Sequence, residues 1–193
     1  MDVVTEKILS TPWAAALIDD PNWTFAPTPA RDPKPWGEDS FFAETIKTDR
    51  TIRSWLAYRP VKAVEGPVPY RELRVILDLG DKLNSHTDIA HGGIAAALLD
   101  ETCGAIAMLN RAKRMEQLEG LGQPFDEWHY FTAYLNVTYR KPVPTSTVIL
   151  STAKIERQEG DGRKMYIQTT LEDGNGTVFT SAEVLFIRVT AKL

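Results

Sequence analysis

The chain has 193 residues, enough for one domain with a core of its own. Apolar residues make up 43% and charged residues 25%, an ordinary globular balance, and the net charge of −4 argues against nucleic acid as the main partner. The single cysteine, Cys103, excludes an internal disulfide and fits a reducing compartment, so a cytoplasmic location is expected, with an organelle left open. The apolar runs read as too short for the ~18–20 residues of a membrane span, so none is expected. The opening "MDVVTEKILS" resembles neither a secretory signal nor a transit peptide.

In chain order, "STPWAAALIDDPNW" predicts a short helix, with Thr11 as its cap, Pro12 at the first helical position, and Trp13, Ala16 and Leu17 on one face. Pro21, Pro27, Pro29, Pro33 and Pro35 then forbid regular helix or central strand, and predict an extended surface connector that docks through Trp23, Phe25 and Trp36. Residues 1–40 therefore read as an N-terminal extension and 41–193 as the globular domain. "TIRSWLAYRP" and "YRELRVILDLG" are strand candidates, the second placing Leu73, Val75, Leu77 and Leu79 on one face. A long apolar helix is expected from near His91 to around Arg114, with Lys113 and Arg114 favourably placed in its last turn.

Four more strands follow. "HYFTAYLNVTYRKP" alternates Phe131, Ala133, Leu135, Val137 and Tyr139 against Tyr130, Thr132, Tyr134, Asn136 and Thr138. "STVILSTAKIERQ", "KMYIQTTLE" and "TVFTSAEVLFIRV" come next, joined by the turn signals "EGDGR" and "DGNG". The layout is α+β: one long helix, rich in Ala and Gly, against an antiparallel sheet of about six strands curving round it.

The helix raises a chemical question, because "HGGIAAALLDE" carries two adjacent carboxylates, Asp100 and Glu101, in an apolar run. Together with "TAYLNVTYRKPVP" some thirty residues later, this segment resembles the hotdog-fold acyl-CoA thioesterases, in the branch of the phenylacetyl-CoA thioesterases and the mammalian thioesterase superfamily members. The likeness covers roughly Arg71 to Val189 and leaves out the N-terminal helix and proline tract. It implies a hotdog fold, hydrolysis of an acyl thioester, and three catalytic groups. Asp100 is the base or nucleophile, the Gly92 N–H the oxyanion donor with Gly93 beside it, and Thr132 the positioning hydroxyl. No cofactor is implied.

The chemistry agrees with those residue types. Free N–H groups at a helix N-terminus suit the oxygen that gains charge during thioester hydrolysis. Glycine admits the substrate to the backbone with no Cβ in the way. Gly92 and Asp100 lie eight residues apart on one helix, roughly 12 Å along its axis, so one chain's pair is not expected to meet the same carbonyl. A two-fold dimer with Asp100 facing Gly92 of the other subunit repairs this, and the resemblance implies the same arrangement, as a dimer or a dimer of dimers.

Many relatives carry an Asn six residues before the motif His. Counting back from His91 gives Ser85, with Asn84 one residue further, so both are substrate-binding candidates, and His86 lies near. His91 is read as a hydrogen-bonding residue that shapes the loop, and Glu101 as a rim group. Arg140 and Lys141, and after them Arg111, Lys113 and Arg114, are candidates for the phosphates of CoA. Cys103 reads as core filler and His129 as unremarkable; with three histidines and one cysteine, no metal-ligand cluster is expected. Two alternatives stay open: release of a polyketide or fatty acyl chain from an acyl carrier protein, and a non-catalytic acyl-binding dimeric scaffold.

Overall fold

The computed structural model describes residues 3–124 and 128–189. Two short helices open it, α1 (Glu6–Leu9) and α2 (Pro12–Asp19), followed by strand β1 (Trp23–Phe25). Strands β2 (Ile52–Pro60) and β3 (Glu72–Leu79) come next, then a small hairpin of β4 (Asn84–His86) and β5 (Ile89–Ala90). Helix α3 (Gly92–Gly120) leads into β6 (His129–Tyr139), β7 (Val148–Glu159), β8 (Lys164–Glu172) and β9 (Val178–Val189).

Among the described residues, the main sheet has seven antiparallel strands in the order β1-β2-β3-β7-β8-β9-β6. The strand beyond the expected six comes from the proline-rich connector. Its three residues Trp23–Phe25 pair along the edge of β2, where prolines on either side cost no ladder bond. At the turns, Gly160, Asp161 and Gly162 all adopt positive φ between β7 and β8, as do Gly174 and Gly176 between β8 and β9.

Alternation splits the strands between two cores. Trp55, Ala57, Leu73, Val75, Leu77 and Leu79 face α3 and join Leu98, Leu99, Cys103 and Ile106 in the main cluster. The opposite phase, Leu56, Tyr58, Ile76 and Val148, meets Ile8, Ala14 and Leu17 of α1 and α2 in a second cluster on the outer face. Polar bonds fasten this N-terminal cover: Thr5 Oγ1 donates to Asp78 Oδ2 at 2.9 Å, and Ser54 Oγ donates to the Val3 carbonyl at 2.7 Å. Asp78 is 1% exposed, and its charge is met by Arg53, whose Nη2 lies 2.6 Å from Oδ1.

Several local expectations are corrected. Thr11 precedes α2, but its hydroxyl donates to the Lys7 carbonyl at 2.8 Å and does not cap the helix, whose buried face is Ala14 and Leu17, with Ala16 exposed. Helix α3 runs on to Gly120, because "MEQLEG" holds good helix formers and the first breaker is Gly122 at φ 64°. Lys113 therefore pairs with Glu116 one turn on and leaves the terminal carbonyls alone. By length and composition α3 is long and apolar enough to cross a bilayer, contrary to the reading of the bare sequence, and here it is the core helix under the sheet. The sheet covers only one side of it. A stripe through Gly93, Gly104 and Met108 faces outward, and a Cβ added at Gly104 would meet nothing within 4 Å.

Strand β6 departs from simple alternation. Thr132 pairs with Phe186 and Tyr134 with Leu185, so Ala133 is an extra residue in a β-bulge. The bulge resets the phase. Tyr130 and Thr132 point to the helix side on one half, and Leu135, Val137 and Tyr139 do so on the other, mixing the two faces expected from the sequence.

Candidate active site

The helix start is built by His91. Its carbonyl accepts from Ile94 N–H at 2.9 Å and Ala95 N–H at 3.1 Å, and its Nδ1 accepts from Gly93 N–H at 3.0 Å. Among the described residues, Gly92 N–H has no acceptor. Of the four amides that a helix start leaves over, those of His91, Gly93 and Ile94 find protein acceptors, and Gly92 N–H is left at the dipole's positive end. A Cβ on Gly92 would stand 3.4–3.6 Å from Tyr139, in ordinary van der Waals contact, so the tyrosine lies beside the helix start without demanding a glycine there.

Two turns further along, Asp100 is half-buried, and Thr132 Oγ1 donates to its Oδ1 at 2.9 Å. Burial raises the Asp100 pKa above the ordinary aspartate value, and the Thr132 bond opposes that rise. The bulge at Ala133 is what lets this hydroxyl reach the helix while Leu135 and Val137 remain packed on the same side. The pair is a carboxylate poised to take a proton from water, with one oxygen held and the other available.

Glu101 points away from Asp100 toward the proline-rich segment. Burial first, then the negative charges of Asp39 and Asp100, push its pKa to about 7, while Arg31 and Lys34 pull it down. Arg31 is 2% exposed and is anchored by bonds to the carbonyls of Phe42 at 2.7 Å and Ile52 at 3.1 Å. Lys34 is held by Asp39 and by the Pro29 carbonyl. The N-terminal segment thus lies against the middle of α3 and supplies charge there.

The remaining candidates fall into two groups. Asn84 Oδ1 accepts from Thr145 Oγ1 at 2.5 Å, which leaves its amide NH2 without a protein acceptor among the described residues. Ser85 Oγ shares a hydrogen bond with His86 Nδ1 at 3.2 Å. This β4–β5 hairpin is stitched to the helix start by the bond from His91 N–H to the Leu83 carbonyl at 2.7 Å. Arg140 and Lys141 follow Tyr139 at the same end, and Arg140 Nε donates to Ser181 Oγ at 3.3 Å. Arg111, Lys113 and Arg114 are not brought to this end: Arg111 lies nineteen residues beyond Gly92, roughly 28 Å along the helix, where its Nε donates to the Trp128 carbonyl at 2.9 Å. Cys103 is buried in the main cluster, and burial pushes its thiol pKa up, which makes it a poor nucleophile. No group of three or more His, Cys, Asp or Glu side chains converges among the described residues. Sequence reasoning missed Tyr139, whose contact with Gly92 depends on strand register.

A long central helix against a large antiparallel sheet is the hotdog arrangement. No family model matches the chain. Over 100 residues it is 31% identical to the acyl-coenzyme A thioesterase THEM4 of Mus musculus, a stretch covering 51% of this chain and 35% of that protein. The match thus spans about a third of that relative's length. Over 180 residues it is 23% identical to the verlamelin biosynthesis protein B of Lecanicillium sp, covering 82% of this chain and 78% of that protein. A thioesterase of Haemophilus influenzae superposes with a TM-score of 0.50 at 9% identity, over 68% of this chain and 79% of that one, a likeness of fold alone. The chain has the hotdog fold, and its sequence likeness to an acyl-CoA thioesterase covers about half of it.

Proposed function

We propose that this chain hydrolyses an acyl-CoA thioester to a carboxylic acid and CoA, at a site completed by a second copy of itself. The observation that carries this is a half-buried carboxylate with a raised pKa, bonded to Thr132, on the same helix as an unpartnered N-terminal amide. The name of the mouse relative points to CoA as the thiol carrier. In the reaction, the thioester oxygen lies against Gly92 N–H. Asp100 takes a proton from water, whose oxygen attacks the carbonyl carbon. The tetrahedral intermediate then expels the thiolate, which receives the proton held by Asp100.

Two features favour a shared site. Gly92 and Asp100 of one chain are separated by roughly 12 Å of helix. The edge strand β6 is eleven residues long and carries exposed Phe131, Tyr134 and Tyr139, an open ladder suited to pairing with its own copy. Such pairing carries the helix start of one subunit toward the carboxylate of the other.

A panel of acyl-CoAs with detection of free thiol tests the activity and ranks acyl chains. Asp100→Asn in an intact dimer is expected to lower kcat at least a thousandfold. Near wild-type turnover in that variant refutes the mechanism, and absence of thiol release from every member of the panel favours the binding scaffold. Specific activity that stays constant under dilution to monomer refutes the shared site.

A further inference from the structure

We propose that Tyr139 is a positioning residue for the amide that receives the thioester oxygen; this rests on the thioesterase reading. Two consecutive glycines open α3, and neither has a side chain to restrict its backbone. The restriction comes from two rings. Tyr139 Oη donates to the Gly92 carbonyl at 2.9 Å, and Gly93 N–H donates to His91 Nδ1 at 3.0 Å. These two groups are the ends of one peptide unit, so that unit is held at both. The preceding unit is held through the His91 carbonyl by Ile94 and Ala95 N–H. What remains between the two is Gly92 N–H, aimed outward with its direction fixed on either side. The Tyr139 ring also lies beside Gly92, where a Cβ would be 3.4 Å from Cε1.

A fixed donor matters more in the transition state than in the ground state, because charge on the oxygen is largest there. Loosening it lowers kcat and leaves KM nearly unchanged. Tyr139 is 55% exposed, so removing its hydroxyl does not open a core cavity and the fold is expected to survive.

The experiment compares wild type, Tyr139→Phe, His91→Ala and the double variant with the best acyl-CoA of the panel. Tyr139→Phe is expected to lose about 5–20-fold in kcat, part of the roughly 10²–10³ that deleting an oxyanion donor costs, with KM within about twofold and the pH profile unmoved. Because Tyr139 and His91 hold one peptide unit, the double variant is expected to lose less than the product of the single losses. Amide exchange read by NMR gives an answer without substrate: Gly93 N–H, whose bond to His91 Nδ1 shares a peptide unit with the Gly92 carbonyl, is expected to exchange at least several-fold faster in Tyr139→Phe. Unchanged kcat in Tyr139→Phe, or unchanged exchange at Gly93, overturns the proposal. A wild type that turns over no thioester overturns the thioesterase reading instead, and the exchange experiment then decides the positioning role alone.

Discussion

Replacing Glu101 with glutamine gives a stability change whose sign runs against the usual expectation for losing a charged group. The Glu101 pKa is raised from 4.5 to about 7, by burial first and then by Asp39 and Asp100. A carboxyl with a raised folded-state pKa contributes stability that is fully present below its unfolded value. That contribution is lost as pH rises through the folded value. Every tenfold difference in acidity between the folded and unfolded carboxyl is worth about 1.4 kcal/mol, so wild type is expected to lose roughly 3 kcal/mol from this group between pH 4.5 and pH 8. Solvent on the exposed side screens part of it, so about 2–3 kcal/mol is expected. The glutamine amide does not titrate. The stability of Glu101→Gln relative to wild type should therefore rise by about 2–3 kcal/mol across that range. Urea melts followed by tryptophan fluorescence, at one protein concentration and at pH 4.5, 6 and 8, measure the difference. A difference that stays constant within about 0.5 kcal/mol refutes the claim that Glu101 is protonated in the native state at low pH and destabilising once charged at high pH.

Thr132→Val removes the one bond that lowers the Asp100 pKa, so the acid limb of kcat/KM should move to higher pH, while Thr132→Ser leaves it in place; a pH–rate profile decides. Gly174 sits at φ 73°, and a Cβ there would overlap the Trp13 indole. Gly174→Ala is therefore expected to cost about 2–3 kcal/mol by backbone strain and displacement of α2, read as a lowered urea midpoint with the acyl-CoA profile retained.

The alternation of "YRELRVILDLG" and the composition of "HGGIAAALLDE" made β3 and the central helix readable, because each has one dominant period. Strand β6 did not yield so easily. Both of its phases mix aromatic, aliphatic and hydroxyl residues, so nothing in the pattern shows that Ala133 is extra, and Thr132 and Leu135 read as opposite faces. Tyr139 was invisible as a partner of Gly92 for the same reason: 47 residues separate them, and only the bulged register brings them together. Of the two short N-terminal helices, α2 was legible in "STPWAAALIDDPNW", while the single turn α1 (Glu6–Leu9) was not. Their destination on the outer face was not legible either, because it depends on Leu56, Tyr58 and Ile76 being apolar in a phase that alternation assigns to solvent.

That outer cover divides the sheet into a thick end and a thin end. Around β2, β3 and β7, water is kept off both faces, by α3 on one side and by α1 and α2 on the other, so their amides belong to the slowest-opening part of the molecule. At β9 and β6 the N-terminal helices give no second layer, and β6 ends in an open edge. Thr132 and Tyr139 both stand on that thin side. The candidate site is therefore anchored through α3 to the most covered part of the sheet and faces outward across the least covered, on the side where the proposed second copy would pair.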